Sequence, residues 1–107
     1  MKKITLTCAH AVVKYLIAQK ILIKGKKEPL FPGVFGIFGH GNVACLGQAL
    51  EENQNELPTY RGHHEQNMAL TGIGYARAKR RQQIFVATSS VGPGATNMVT
   101  AAAVAMS

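Results

Sequence analysis

Apolar residues recur at helical spacing near the start of the chain. Ala9, Val12, Val13, Leu16, Ile17 and Ile21 predict a helix over 6–23, capped by Thr5 or Thr7 and ended by Gly25. A connector over 25–32 follows. Val34-Phe35-Gly36-Ile37-Phe38 is then continuously apolar and bounded by glycines, the pattern of a parallel strand buried on both faces. Gly39-His40-Gly41-Asn42 reads as a turn, with Asn42 as N-cap of a helix over 43–53. Leu57 to Arg61 predicts a shorter strand, and Pro58 places it at a strand start or a sheet edge. A helix from Glu65 to Lys79 carries the small-residue face Ala69, Gly72, Ile73 and Ala76. Gly72 and Gly74 each cost it roughly 1 kcal/mol of propensity against alanine, which predicts close packing there. Gln83 to Thr88 is a third strand, Ser89 to Gly94 a glycine-rich turn. A last helix begins near Ala95 and still runs at Met106-Ser107.

Strand, helix, strand, helix, strand, helix after a leading helix predicts an α/β fold: a parallel sheet with helices on both faces, joined by right-handed crossovers. Ligands in such sheets gather at the carboxyl ends of the strands. Three segments fall there: Gly39 to Asn42, Gly62 to Glu65, and Ser89 to Asn97. They are also the richest in Gly, His, Ser and Asn. Three strands make a thin sheet, and Ala101 to Met106 lacks a capping glycine or a following strand. The expectation is the front part of a longer protein.

Composition narrows the function classes. At 107 residues, 47% hydrophobic and 16% charged, the chain suits one small globular domain. Its net charge of +7 raises nucleic acid as a partner. The cations cluster at Lys20, Lys24, Lys26 and Lys27, and at Lys79, Arg80 and Arg81, and both clusters read as solvated helix ends favoured by the dipole. No aromatics interleave them to stack bases, so no nucleic-acid partner is expected. Cys8 and Cys45 read as reduced and buried, which points to the cytoplasm. No apolar stretch is long enough to span a membrane, so no membrane partner is expected either.

Candidate chemistry centres on Glu65, a carboxylate at a helix start just after a strand, on a chain whose five acids are all glutamates. Apolar surroundings are expected to raise its pKa. His10, His40, His63 and His64 form no ligand pattern such as His-Glu-x-x-His, so no metal site is expected on this chain. Thr88, Ser89 and Ser90 lack the Asp and the nucleophile elbow of a serine hydrolase. The glycines of Gly36 to Gly41 stand in the wrong order for a dinucleotide fingerprint. Gly92-Pro93-Gly94 reads as a backbone turn, with Asn97 a polar group in the helix's first turn.

His64-Glu65-Gln66-Asn67, Gly74-Tyr75-Ala76-Arg77 and Gly92-Pro93-Gly94-Ala95-Thr96-Asn97 are weak motifs singly and fairly specific together. The set resembles the pyrimidine-binding domain of thiamine-diphosphate enzymes, in the acetohydroxyacid synthase branch. Phe31 to Leu50, followed by Leu57 to Arg61, is similar within that family to the trihydroxycyclohexanedione hydrolases of myo-inositol catabolism, and the likeness runs from about Leu6 onward. The resemblance implies that residues 1–107 are the N-terminal part of the first of three domains. The middle and diphosphate-binding domains, and the Gly-Asp-Gly…Asn motif that holds Mg2+, are absent from this chain. It implies an enzyme that hydrolyses a C–C bond of a cyclic dione to give 5-deoxyglucuronic acid, working as a homodimer or homotetramer. Carried over, Glu65 meets N1′ of the cofactor's aminopyrimidine and favours its imino form. Gly39, His40, Gly41, Asn42 and Ser90, with Ser89, face the cofactor's reactive end or the substrate. A proton-transfer role for His40, His63 or His64 stays open. The chain alone is expected to be inactive and to bind thiamine diphosphate poorly. Two alternatives stand: another enzyme of the acetohydroxyacid synthase type, and a freestanding basic α/β binding module.

Overall fold

The computed structural model describes residues 3–39 and 41–107. Helix α1 spans Cys8–Ala18 and is capped by Thr7, whose hydroxyl accepts from the His10 amide. The chain then departs from the predicted helix. β1 (Lys20–Ile23) and β2 (Lys26–Pro29) form an antiparallel hairpin with Ile23 opposite Lys26. The stretch from Lys20 to Ile23 fits both periods, and two features decide for the strand. Ile21 and Ile23 alternate with the exposed Lys20 and Leu22. Lys24 and Gly25, at φ of 51° and 81°, make the two-residue turn with positive φ at both positions that suits a twisted hairpin. The lysine cluster here is therefore a hairpin surface, not a helix end. Lys24 meets Lys79 and Arg80 around a shared hollow with Glu28, at the end of the molecule away from Glu65.

Gly25 has open space where a side chain would stand, so substitution there meets only the backbone penalty. Gly25→Val is expected to lower stability by about 1–2 kcal/mol, with Gly25→Asn milder, read from urea unfolding midpoints. Equal midpoints for wild type and Gly25→Val would refute the left-handed turn.

β3 (Val34–Gly36) is the centre of a parallel three-stranded sheet, with β4 (Thr59–Arg61) on one side and β5 (Val86–Thr88) on the other. The strands are shorter than the sequence predicts, but lie where it puts them. β4 is an edge strand as Pro58 suggested, and the Pro58 carbonyl accepts from the Val34 amide. Alternation along β3 sends successive residues to opposite faces. Val34 packs into a core with Val13, Ala49, Leu50 and Leu57, under α1 and α2 (Gln48–Glu52). Phe35 stacks on Phe85 on the other face, where Tyr75 of α3 (Glu65–Ala78) meets Phe85 edge-on. Helices thus cover both faces. His10 and Glu52 tie α1 to α2 at 2.6 Å, and the imidazole holds the Glu52 carboxyl below the ordinary carboxylate value.

Three further expectations are corrected. Asn42 stands at the N-cap position of the helical stretch that begins at Val43, but its side chain makes no capping bond and is spent elsewhere, and its carbonyl accepts from the Gly47 amide five residues on. That bond winds Val43–Gly47 into a π-helical turn ahead of α2. Cys8, first in α1, and Cys45, in the π turn, are both exposed instead of buried. Gly72 and Gly74 do not mark a close approach. A Cβ at Gly74 would meet nothing within 4 Å, and one at Gly72 only Phe85 at 3.9 Å. The small residues of α3 instead face those of α5 (Val99–Met106) across an apolar cleft of about 300 Å3, lined by Ala69, Ile73, Ala76, Ala101 and Ala105. Among the described residues no helix is long and apolar enough to cross a membrane.

Candidate functional site

The carboxyl ends of the three strands converge as the sequence predicts. After β3, the Asn42 amide donates to the Ser89 carbonyl beyond β5, at 3.0 Å, while Asn42 Oδ1 accepts from the Gly39 amide at 2.8 Å. Asn42 is therefore the pin that fastens the first turn to the third. Ser90 fills the space between turns. A side chain on Gly39 would lie 2.6 Å from Ser90 Cβ, and one on Gly94 2.6 Å from Ser90 Oγ. Gly94 belongs to the short helix α4 (Pro93–Thr96) and abuts Glu65 Oε2. Gly39, Asn42, Ser90 and Glu65 thus form one connected group. Gly41, at φ 86°, points to open space, and His40 lies outside the described residues.

Glu65 is the first residue of α3, entered from β4 through Gly62, His63 and an extended His64. It is only 9% exposed. Its carboxylate Oε1 accepts from Asn97 Nδ2 at 3.0 Å. The Asn97 amide, then the carboxylate's bond to its own backbone N–H, hold the Glu65 carboxyl below the ordinary carboxylate value, with the neighbouring His64 adding a smaller pull. Burial pushes the other way and loses. The expected upward shift is therefore reversed: the Asn97 amide and the carboxylate's own backbone N–H outweigh desolvation. With a lowered folded pKa, the stability these bonds contribute is complete above the ordinary carboxylate value. It is lost as pH falls through the folded one.

His63 and His64 are exposed and line a shallow hollow of about 270 Å3 with Phe35, Arg61, Asn67 and Met68, next to Glu65 in sequence. A larger hollow of about 1050 Å3 lies between the π turn, α2 and edge strand β4, around Phe38, Gln48, Thr59 and Arg61. It lacks the connected polar group of the Glu65 site. The sequence places Asn97 and Gly94 in a segment at this end of the sheet but does not disclose their contacts with Glu65. The signal was present in the motif itself, since Asn97 follows Gly94 by three residues, one turn of helix.

A family model described as "Thiamine pyrophosphate enzyme, N-terminal TPP binding domain" matches residues 8–107. The chain belongs to this family. It is 55% identical over 105 residues to the 3D-(3,5/4)-trihydroxycyclohexane-1,2-dione hydrolase of Geobacillus thermodenitrificans (strain NG80-2), covering 98% of this chain and 16% of that protein. It is 50% identical, over the same shares, to the proteins of that name from Clostridium tetani (strain Massachusetts / E88) and Bacillus thuringiensis (strain Al Hakam). The chain thus spans about one sixth of the length of these relatives.

The residues fit half of a thiamine diphosphate molecule. A nearly buried carboxylate with one oxygen already tied by Asn97 suits an aminopyrimidine ring, whose ring nitrogen, once protonated, can donate to the other oxygen. Among the described residues no three His, Cys, Asp or Glu side chains gather into a group that could hold a metal ion.

Proposed function

We propose that this chain is the N-terminal part of the pyrimidine-binding domain of a thiamine-diphosphate-dependent hydrolase acting on 3D-(3,5/4)-trihydroxycyclohexane-1,2-dione. The observation that carries the reading is Glu65, nearly buried and hydrogen-bonded by Asn97 at the carboxyl ends of the parallel strands, within a chain 55% identical to a hydrolase of that name. The bound cofactor supplies a carbon nucleophile and an electron sink for cleaving the bond beside a carbonyl. This chain's residues do the holding. Glu65 keeps a hydrogen bond at the pyrimidine N1′, and Gly39, Gly41, Asn42 and Ser90, with His40, border the cofactor's reactive end or the substrate. A middle domain and a diphosphate-binding domain lie elsewhere in the complete protein, the latter holding Mg2+. Subunits pair as a homodimer or homotetramer through the cofactor-binding domains, in the cytoplasm, and the product is 5-deoxyglucuronic acid.

The complete enzyme, given the cyclic dione and thiamine diphosphate with Mg2+, is expected to yield a ring-opened acid heavier than the substrate by one water, and none without the cofactor. The 107-residue chain alone is expected to give no turnover and no micromolar binding of thiamine diphosphate by calorimetry. Condensation of 2-oxo acids in place of ring opening would move the protein to the acetohydroxyacid synthase type.

A further inference from the structure

Resting on that reading, we infer that Asn97 is a positioning residue for Glu65, tying carboxylate Oε1 so that Oε2, set against Gly94, is the oxygen presented to the cofactor ring. Each oxygen has a distinct neighbour. Asn97 Nδ2 donates to Oε1 at 3.0 Å, and Oε2 lies 3.2 Å from where a Gly94 side chain would begin. A glutamate carboxyl turns freely about its last bond, so one directional donor on one oxygen fixes the plane of the group.

The local fold is arranged around this contact. Gly92 adopts φ 68°, a conformation that favours glycine, and Pro93 opens α4 at a position where its missing N–H costs nothing. The helix predicted from Ala95 onward is broken at Asn97-Met98, between α4 and α5. The break leaves Asn97 at the end of one turn, where its side chain reaches back 32 residues in sequence to Glu65. Ser90 Oγ borders the same space, 2.6 Å from where a Gly94 side chain would begin. The titratable groups near this carboxylate, His64 just before its helix and nothing acidic from α4, leave the amide as its principal donor.

The test replaces the amide with its isostere. Asn97→Asp keeps the shape and sets a second carboxylate against Oε1, and Asn97→Ala only removes the donor. The Glu65 carboxyl is followed by carbon-13 NMR through an acid titration of the 107-residue chain. In the complete enzyme the acid limb of kcat against pH is followed in parallel. The Glu65 titration is expected to move up in Asn97→Ala and further in Asn97→Asp. The acid limb should follow, and kcat should fall about tenfold or more while KM for the dione stays within about twofold. Asn97→Gln, one methylene longer, should restore part of the loss. A Glu65 titration that stays at its wild-type position in all three variants overturns the inference. So does a loss confined to KM. Were one variant to unfold, the remaining two carry the same comparison. The NMR arm reads the contact without turnover, so a failure of the proposed activity would leave it interpretable.

Discussion

Glu65→Gln in the complete enzyme is expected to lower kcat by about 10²–10⁴-fold, the scale for removing one positioned acid–base group, with the unfolding midpoint nearly unchanged. Glutamine keeps the length and volume of the side chain, and its amide oxygen can still accept from Asn97. What it loses is the negative charge that accepts from N1′ and stabilises a protonated ring nitrogen. The group is nearly buried, so a neutral amide there has little solvent to compensate for the lost charge. Steady-state turnover beside circular dichroism melts separates the two effects. Turnover within threefold of wild type would remove Glu65 from the chemistry.

The largest loss of stability is expected at Leu57. It is fully buried in the small core with Val13, Val34, Ala49 and Leu50, on the approach to β4, and its amide donates to the Asn53 carbonyl at 2.8 Å. Leu57→Ala removes packed methyl groups and leaves a cavity that a core this thin fills poorly. The expected cost is about 2–5 kcal/mol. Domain stabilities are only about 5–15 kcal/mol, so a large part of the chain's stability goes with one side chain. Leu22→Ala, on the exposed face of the hairpin at 67% exposure, should cost less than about 0.5 kcal/mol. Urea unfolding of both variants measures the contrast, and equal midpoints would mean that the core is not where the packing puts it.

The elements that the sequence disclosed are those where local pattern and tertiary context agree. Val34 to Gly36 is apolar on both sides of the pleat because α1 and α2 cover one face and α3 the other, so an unbroken apolar run had a single reading. Glu65 opening a helix after a strand is likewise a local statement, and the helix begins at that residue. Lys20 to Ile23 went the other way. Its apolar residues satisfy a helical period as well as a strand's, and the left-handed Lys24-Gly25 turn decides between them. A Lys-Gly pair is a weaker hairpin signal than Asn-Gly, so the pattern alone favoured extending α1. Asn42 was legible as important and misread in role, because a side chain that caps locally and one that crosses to Ser89 look alike in sequence.

By itself the sequence determined the alternation of strands and helices, the parallel character of the sheet and the gathering of Gly39, Asn42, Ser90 and Glu65 at one end. Each of these follows from periodicity, turn chemistry and the handedness of crossovers, which act over a few residues at a time. Only the tertiary structure decided in which direction the Glu65 carboxyl is shifted. Apolar surroundings in the fold were expected to raise its pKa, but the donor that lowers it stands 32 residues away on Asn97, and its hydrogen bond at 3.0 Å outweighs partial desolvation. Such a contact exists only once β5 and α4 have brought the two segments together at the end of the sheet.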